Sequence, residues 1–60
     1  MNQELEKAAK FLEGTAADYD QMAAQLQKSA RTPADGMRLY HYKAAAQLLR
    51  GQAAHIRGLK

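Results

Sequence analysis

Large apolar side chains recur every seven residues in both halves of this chain, with alanine between them. The first half carries the large residues Leu5, Leu12, Tyr19 and Leu26, each followed four positions later by alanine, at Ala9, Ala16, Ala23 and Ala30. The second half repeats the scheme with Leu39, Tyr42, Ala46, Leu49, Ala53 and Ile56. Seven-residue apolar repeats are typical of helices that pack along one seam. The pattern predicts two amphipathic helices, with large residues at heptad position d and mainly alanine at position a.

The composition supports helices over strands. Valine is absent and isoleucine occurs once, whereas Ala, Leu, Gln, Lys, Arg and Glu dominate. These abundant residues favour helix and disfavour strand. We therefore expect an all-α fold in a single domain over residues 1–60.

Local signals place one turn near the middle of the chain. Pro33 is the sole proline, and it follows Thr32 and precedes Ala34 and Asp35. A threonine N-cap, proline at the first helical position and an acid at the third predict a helix start. We expect helix 1 over about 2–31 with Asn2 as its N-cap, a turn at about 31–33, and helix 2 over about 33–58. An N-cap at Asp35 is the alternative, and it lengthens the turn to about 32–36.

Gly14 is the weak point of helix 1, because glycine destabilises a helix interior. The segment from Thr15 to Asp18 also matches a capping box, which would allow a break. The apolar repeat runs through Gly14 without a slip. We therefore favour one continuous helix and leave the break as the alternative.

A short connection favours antiparallel packing of the two helices. The predicted hairpin core pairs Ala9 with Ile56, Leu12 with Ala53, Ala16 with Leu49, Tyr19 with Ala46, Ala23 with Tyr42, and Leu26 with Leu39, and Leu5 extends it beyond Ala9. Small residues opposite large ones allow the helices to interdigitate closely. A shift of the seam by one heptad would require the turn to move as well.

Heptad position e carries opposite charges in the two halves. The same register predicts three ion pairs along one edge: Glu6 with Arg57, Glu13 with Arg50, and Asp20 with Lys43. Such pairs specify the register of two helices more than they stabilise them.

Heptad positions g and c form a second apolar face, which we call the g/c face. Its predicted interface residues are Ala8, Phe11, Met22, His41, Ala45, Leu48, His55 and Leu59. A lone hairpin would leave these side chains in water, and exposed apolar surface indicates an interaction site. We expect the face to pair two hairpins into a four-helix-bundle homodimer, with docking of a different protein as the alternative.

The size of the chain also favours association. Sixty residues contain thirteen alanines, fifteen larger apolar residues and no cysteine. A chain this short buries only about 60% of its unfolded surface, and no disulfide can compensate. Self-association or a partner would supply the missing burial.

The sequence offers no constellation for catalysis, and we expect no enzyme, metal site or cofactor. The four glycines are isolated, so they form no phosphate-binding loop. His41 and His55 lie fourteen residues apart on one helix, about 21 Å along its axis, and cannot share a metal ion within one chain.

The uneven charge distribution bears on whether the chain binds nucleic acid. Three lysines oppose five acids in residues 1–30, whereas six basic residues oppose Asp35 alone in residues 31–60. Such asymmetry is typical of nucleic-acid or membrane surfaces. The predicted ion pairs would use three of those six bases, and the acids of helix 1 argue against a membrane-surface helix.

We expect a regulator that binds and occludes a protein partner, with Arg31, Met37, Arg38 and Tyr40 as candidate contacts. RNA binding is the alternative. The small-against-large layering and the length resemble the Rop-type plasmid RNA-binding hairpin, which implies a dimeric regulatory role. That resemblance covers only the overall plan, so no functional positions are carried over from it. No membrane span or export signal is visible, and we expect a cytoplasmic protein.

Overall fold

The computed structural model describes residues 3–59, which form two long helices. Helix α1 spans Gln3–Ser29 and helix α2 spans Pro33–Gly58. The two helices pack against each other as an antiparallel hairpin with dimensions of 47 × 14 × 9 Å. The prediction of an all-α hairpin is confirmed. Asn2, the predicted N-cap of the first helix, lies outside the described residues.

Thr32 is the N-cap of α2, with an extended backbone at φ −121° and ψ 158°. The backbone N–H of Asp35 donates to the Thr32 hydroxyl at 3.2 Å. The Asp35 carboxylate in turn accepts from the backbone N–H of Arg31 at 3.1 Å, and this hydrogen bond lowers the pKa of Asp35. The first bond satisfies a donor that a helix start would otherwise leave unpaired, and the second ties the residue before the N-cap to the first turn of α2. The alternative N-cap at Asp35 is therefore wrong.

Helix α1 ends at Ser29, two residues before the boundary expected from the sequence. The Arg31 N–H is engaged by Asp35, so it does not extend the hydrogen-bonding ladder of α1. The turn is consequently fixed from the α2 side.

Helix α1 runs through Gly14 without a break. The Thr15 hydroxyl donates to the Phe11 carbonyl at 3.1 Å, one turn back along the same helix. A threonine bonded in this way sits within a helix and does not cap a new one. The capping-box interpretation of residues 15–18 is therefore wrong.

The seam between the helices is built on alanine. Five alanines are 0–3% exposed: Ala9, Ala16, Ala23, Ala46 and Ala53. The large seam residues are each half-buried: Leu5, Leu12, Tyr19, Leu26, Leu39, Tyr42, Leu49 and Ile56. The rings of Tyr19 and Tyr42 lie with their centroids 6.0 Å apart. No large side chain among residues 3–59 is fully buried, so the hairpin has a thin core.

Neither described helix is apolar over a stretch long enough to cross a lipid bilayer.

Candidate interaction surfaces

One edge of the hairpin is an ion-pair ladder. The Arg57 guanidinium donates to the Glu6 carboxylate at 3.0–3.3 Å and also binds Glu13, with one contact at 2.9 Å. Arg50 pairs with Asp20. The predicted pair of Glu6 with Arg57 is confirmed. The predicted pairs of Glu13 with Arg50 and of Asp20 with Lys43 are wrong.

Arg57–Glu13 and Arg50–Asp20 are staggered by one heptad from the directly opposed positions, and the direction of helical side chains explains this stagger. Side chains on a helix lean toward its N-terminus. In an antiparallel hairpin, residues of α2 therefore lean toward the turn, and residues of α1 lean away from it. Each arginine of α2 thus reaches an acid one heptad nearer the turn than direct opposition implies, as Arg57 reaches Glu13.

The stagger leaves Lys43 without an acid. The position that the same lean would offer it is Gln27, which is neutral. No ion pair within 4.0 Å joins Lys43 to an acid among residues 3–59. The basic charge of α2 is therefore neutralised near the open end of the hairpin and not near the turn.

The ladder shifts the proton affinities of its members. Hydrogen bonds from Arg57 lower the pKa of Glu6 and of Glu13. Hydrogen bonding to these two carboxylates raises the pKa of Arg57, and the Asp20 carboxylate raises the pKa of Arg50. These shifts all favour the charged forms, so the ladder is intact at neutral pH.

The g/c face lies on the opposite side of the hairpin from the ladder, because e positions meet across one edge and g positions across the other. Phe11 is 74% exposed and Leu48 is 64% exposed. Met22 and Leu59 are also exposed. Of the other predicted interface residues, Ala8, His41 and His55 are exposed and Ala45 is half-buried.

A groove of about 520 Å³ runs along α2 beside this face. We call it the Gly51 groove, and it is lined by Leu12, Gln47, Leu48, Gly51, Gln52, His55 and Ile56. A smaller groove of about 270 Å³ lies nearer the turn and is lined by Met22, Gln25, Leu26, Ser29, Arg38 and Tyr42. Sequence reasoning missed the Gly51 groove, although a glycine three residues after an outward leucine was a readable signal.

The turn end presents the other candidate contacts. Arg31, Met37, Arg38 and Tyr40 are all exposed, Met37 by 61% and Tyr40 by 69%. The Tyr40 and His41 rings lie 6.0 Å apart between centroids. Lys28 and Lys43 are also exposed, and Arg38 is the base whose charge acts on the Asp35 carboxylate. Lys60, another base that the register leaves unmatched, lies outside the described residues.

The part of the chain that the structure describes holds no cluster of three or more His, Cys, Asp or Glu residues placed to bind a metal ion. Every fully buried side chain within residues 3–59 belongs to an alanine.

Comparison of the chain with protein-family models, with curated proteins and with solved structures finds no match.

Proposed function

We propose that this chain is a non-catalytic interaction module that acts as a homodimer. Two hairpins pack through their g/c faces into a four-helix bundle. The observation that carries this proposal is the surface of the single hairpin, which exposes 4773 Å².

That surface is large for the mass of the chain. A compact monomer of 6.6 kDa would expose about 3,900 Å² by the usual scaling of surface with mass. The excess is roughly 900 Å², and a standard protein interface buries about 800 Å² on each partner. A second copy seated on one face would therefore bring the exposed area of each chain close to that of a compact monomer of the same mass.

The exposed turn end supports a role in binding a protein partner. Tyrosine, methionine and arginine are enriched at protein interfaces, and Tyr40, Met37 and Arg38 are all exposed there. A dimer of narrow hairpins covers a partner surface without performing chemistry on it. We infer that the module regulates or inhibits its partner by occluding that surface, and we place it in the cytoplasm, in keeping with a cysteine-free chain.

Light scattering combined with size-exclusion chromatography tests the homodimer. We expect the mass of two chains at micromolar concentration. A folded species with the mass of one chain would contradict the proposal.

Photo-crosslinking from position 40 tests the partner surface. A partner captured in this way is purified, and its affinity is measured for the wild type, for Tyr40→Ala and for the control Gln21→Ala, an exposed site on α1. We expect Tyr40→Ala to weaken binding at least about tenfold and Gln21→Ala to leave it unchanged. Equal affinities for all three chains would exclude the turn end as the contact.

RNA binding is the second candidate, and the unpaired Lys43 favours it. Together with Lys28, Arg31 and Arg38 it makes the turn end basic. Phosphate contacts make affinity fall steeply with salt. Titration of a fluorescent RNA hairpin at rising salt would show such a slope for the wild type and a shallower one for Lys43→Gln, and an affinity independent of salt would argue against this function.

A further inference from the structure

Gly51 has no structural explanation within the hairpin. It lies inside α2, where glycine is less favourable than alanine. A Cβ atom built at position 51 would meet nothing within 4 Å, so packing between α1 and α2 does not require glycine there. Its backbone is helical, with no positive φ among the described glycines. Packing within the single chain therefore gives no reason for the missing side chain at position 51, as at the other described glycines, and of these only Gly51 lines either groove.

The Gly51 groove has the form of a hole that accepts a side chain from another helix. Leu48, Gly51, Gln52 and His55 follow the spacing i, i+3, i+4 and i+7. Four residues at this spacing surround the hole that receives one knob in helix-to-helix packing. Without a side chain at Gly51, the floor of this hole is helix backbone, which makes room for a large knob.

We propose that the Gly51 groove receives Phe11 from a second copy of this chain. Phe11 is the most exposed large apolar side chain of the described residues, at 74%, and it lies on the same face as the groove. This inference rests on the proposed homodimer, whose required interface area matches the surface excess of the hairpin.

Two-fold symmetry makes the contact reciprocal. In an isologous dimer, each Phe11 enters the groove of the other chain, so one pair of residues is used twice. Aromatic anchors that fill pockets carry much of the binding energy of interfaces. Two such anchors would fix the relative placement of the hairpins as well as hold them together.

Equilibrium sedimentation of the wild type, three single variants and one double variant tests the contact. Phe11→Ala removes the knob and Gly51→Leu fills the hole, and both sites are exposed, so each variant should fold. We expect each to raise the dimer dissociation constant at least about tenfold. Ala54→Leu, which adds the same side chain at an exposed site of α2 outside both grooves, should leave the constant unchanged.

The double variant decides whether Phe11 is the occupant. If the Phe11 ring occupies the Gly51 groove, the two substitutions remove the same contact. The double variant should then have a dissociation constant no more than about threefold above that of the single variant with the larger effect. The contact would be overturned if the increases in dissociation constant of the two single variants multiplied, or if either single variant dimerised normally. The homodimer itself would still stand. A monomeric wild type would overturn both proposals.

Nuclear Overhauser measurements on a mixed dimer provide a direct readout. Phe11 is the only phenylalanine, so its ring resonances are unique. One chain is isotopically labelled and the other is not, and transfer is measured from the unlabelled Phe11 ring to the labelled Gly51 Hα. We expect this transfer, and its absence in a proven dimer would contradict the assignment.

Discussion

Arg57 is the residue on which the ion-pair edge converges. It binds two carboxylates that lie one heptad apart on the same face of α1, whereas Arg50 binds one and Lys43 binds none among the described residues. The three bases occupy equivalent heptad positions and differ in the acids within their reach. The number of carboxylates bound therefore falls from two at Arg57 to one at Arg50 and to none of the described ones at Lys43.

We expect the melting temperature to fall most for Arg57→Gln, less for Arg50→Gln and not measurably for Lys43→Gln. Removing Arg57 leaves Glu6 and Glu13 without their shared partner, and the two negative charges then repel each other. Thermal melts followed by circular dichroism would give the order, and high salt should compress the differences because these charges are exposed. An effect of Lys43→Gln as large as that of Arg57→Gln would contradict the staggered ladder.

The same ladder predicts how stability depends on pH. Arg57 holds the pKa of Glu6 and of Glu13 below the ordinary value of 4.5. A carboxyl group with a lowered folded-state pKa stabilises the fold above its unfolded-state pKa and loses that contribution as pH falls through the folded-state pKa.

We therefore expect the melting temperature to hold steady above about pH 5 and to drop below that as these carboxylates are protonated. The drop should be smaller in Arg57→Gln, and the remainder should include Asp35, whose pKa is lowered by the Arg31 backbone instead. Melts at stepped pH values would measure it. A drop of equal size in the wild type and in Arg57→Gln would mean that the ladder does not control the acid response.

At the scale of the elements, the start of α2 fixes the turn. Thr32 caps the helix through its hydroxyl, and the Asp35 carboxylate reaches back to the Arg31 N–H. Thr32→Ala should lower the free energy of unfolding by about 1 kcal/mol, because an N–H at the helix start loses its acceptor. Urea unfolding would measure the loss, and Thr32→Ser, which keeps the hydroxyl, should lose much less. Equal losses in both variants would point to the threonine methyl group and not to the cap.

The sequence was informative where one residue type decides the structure. Pro33 after Thr32 located the turn, and the alanine repeat located the buried seam at residues such as Ala16 and Ala53. The ladder was only partly predictable, because opposition of backbone positions ignores the lean of long side chains. Arg50 therefore reaches Asp20, and Lys43 pairs with no acid among residues 3–59. The spacing of Gly51 from Leu48 hinted at the groove, but its shape depends on side chains from both helices and could not be predicted from that spacing alone.

At the scale of the whole molecule, paired charges and exposed apolar side chains occupy different parts of the hairpin surface. Ion pairs lie on one long edge, most of the exposed large apolar side chains lie on the opposite face, and Lys28, Arg31 and Arg38 lie toward the turn. A dimer formed through the apolar face would leave the ladder in water and both turn ends free. One surface would then serve assembly and another would serve the partner.

Dilution tests whether assembly through the apolar face stabilises the fold. The hairpin core completely buries only alanine among the described residues, so we expect the second chain to supply much of the stability. If much of the stability comes from the second chain, dissociation and unfolding are linked and the melting temperature depends on concentration. We expect it to fall by about 5 °C for each tenfold dilution, since a factor of ten corresponds to about 1.4 kcal/mol and the unit that unfolds is the dimer, which has twice the residues of one chain. Calorimetry across two decades of concentration would measure the slope. Leu48→Gln, which makes the apolar face polar, should lower the melting temperature and flatten the slope, whereas Gln21→Ala on the back of α1 should change neither. A melting temperature that stays fixed on dilution, in a species with the mass of one chain, would show that the alanine seam is sufficient to hold the hairpin without a second copy.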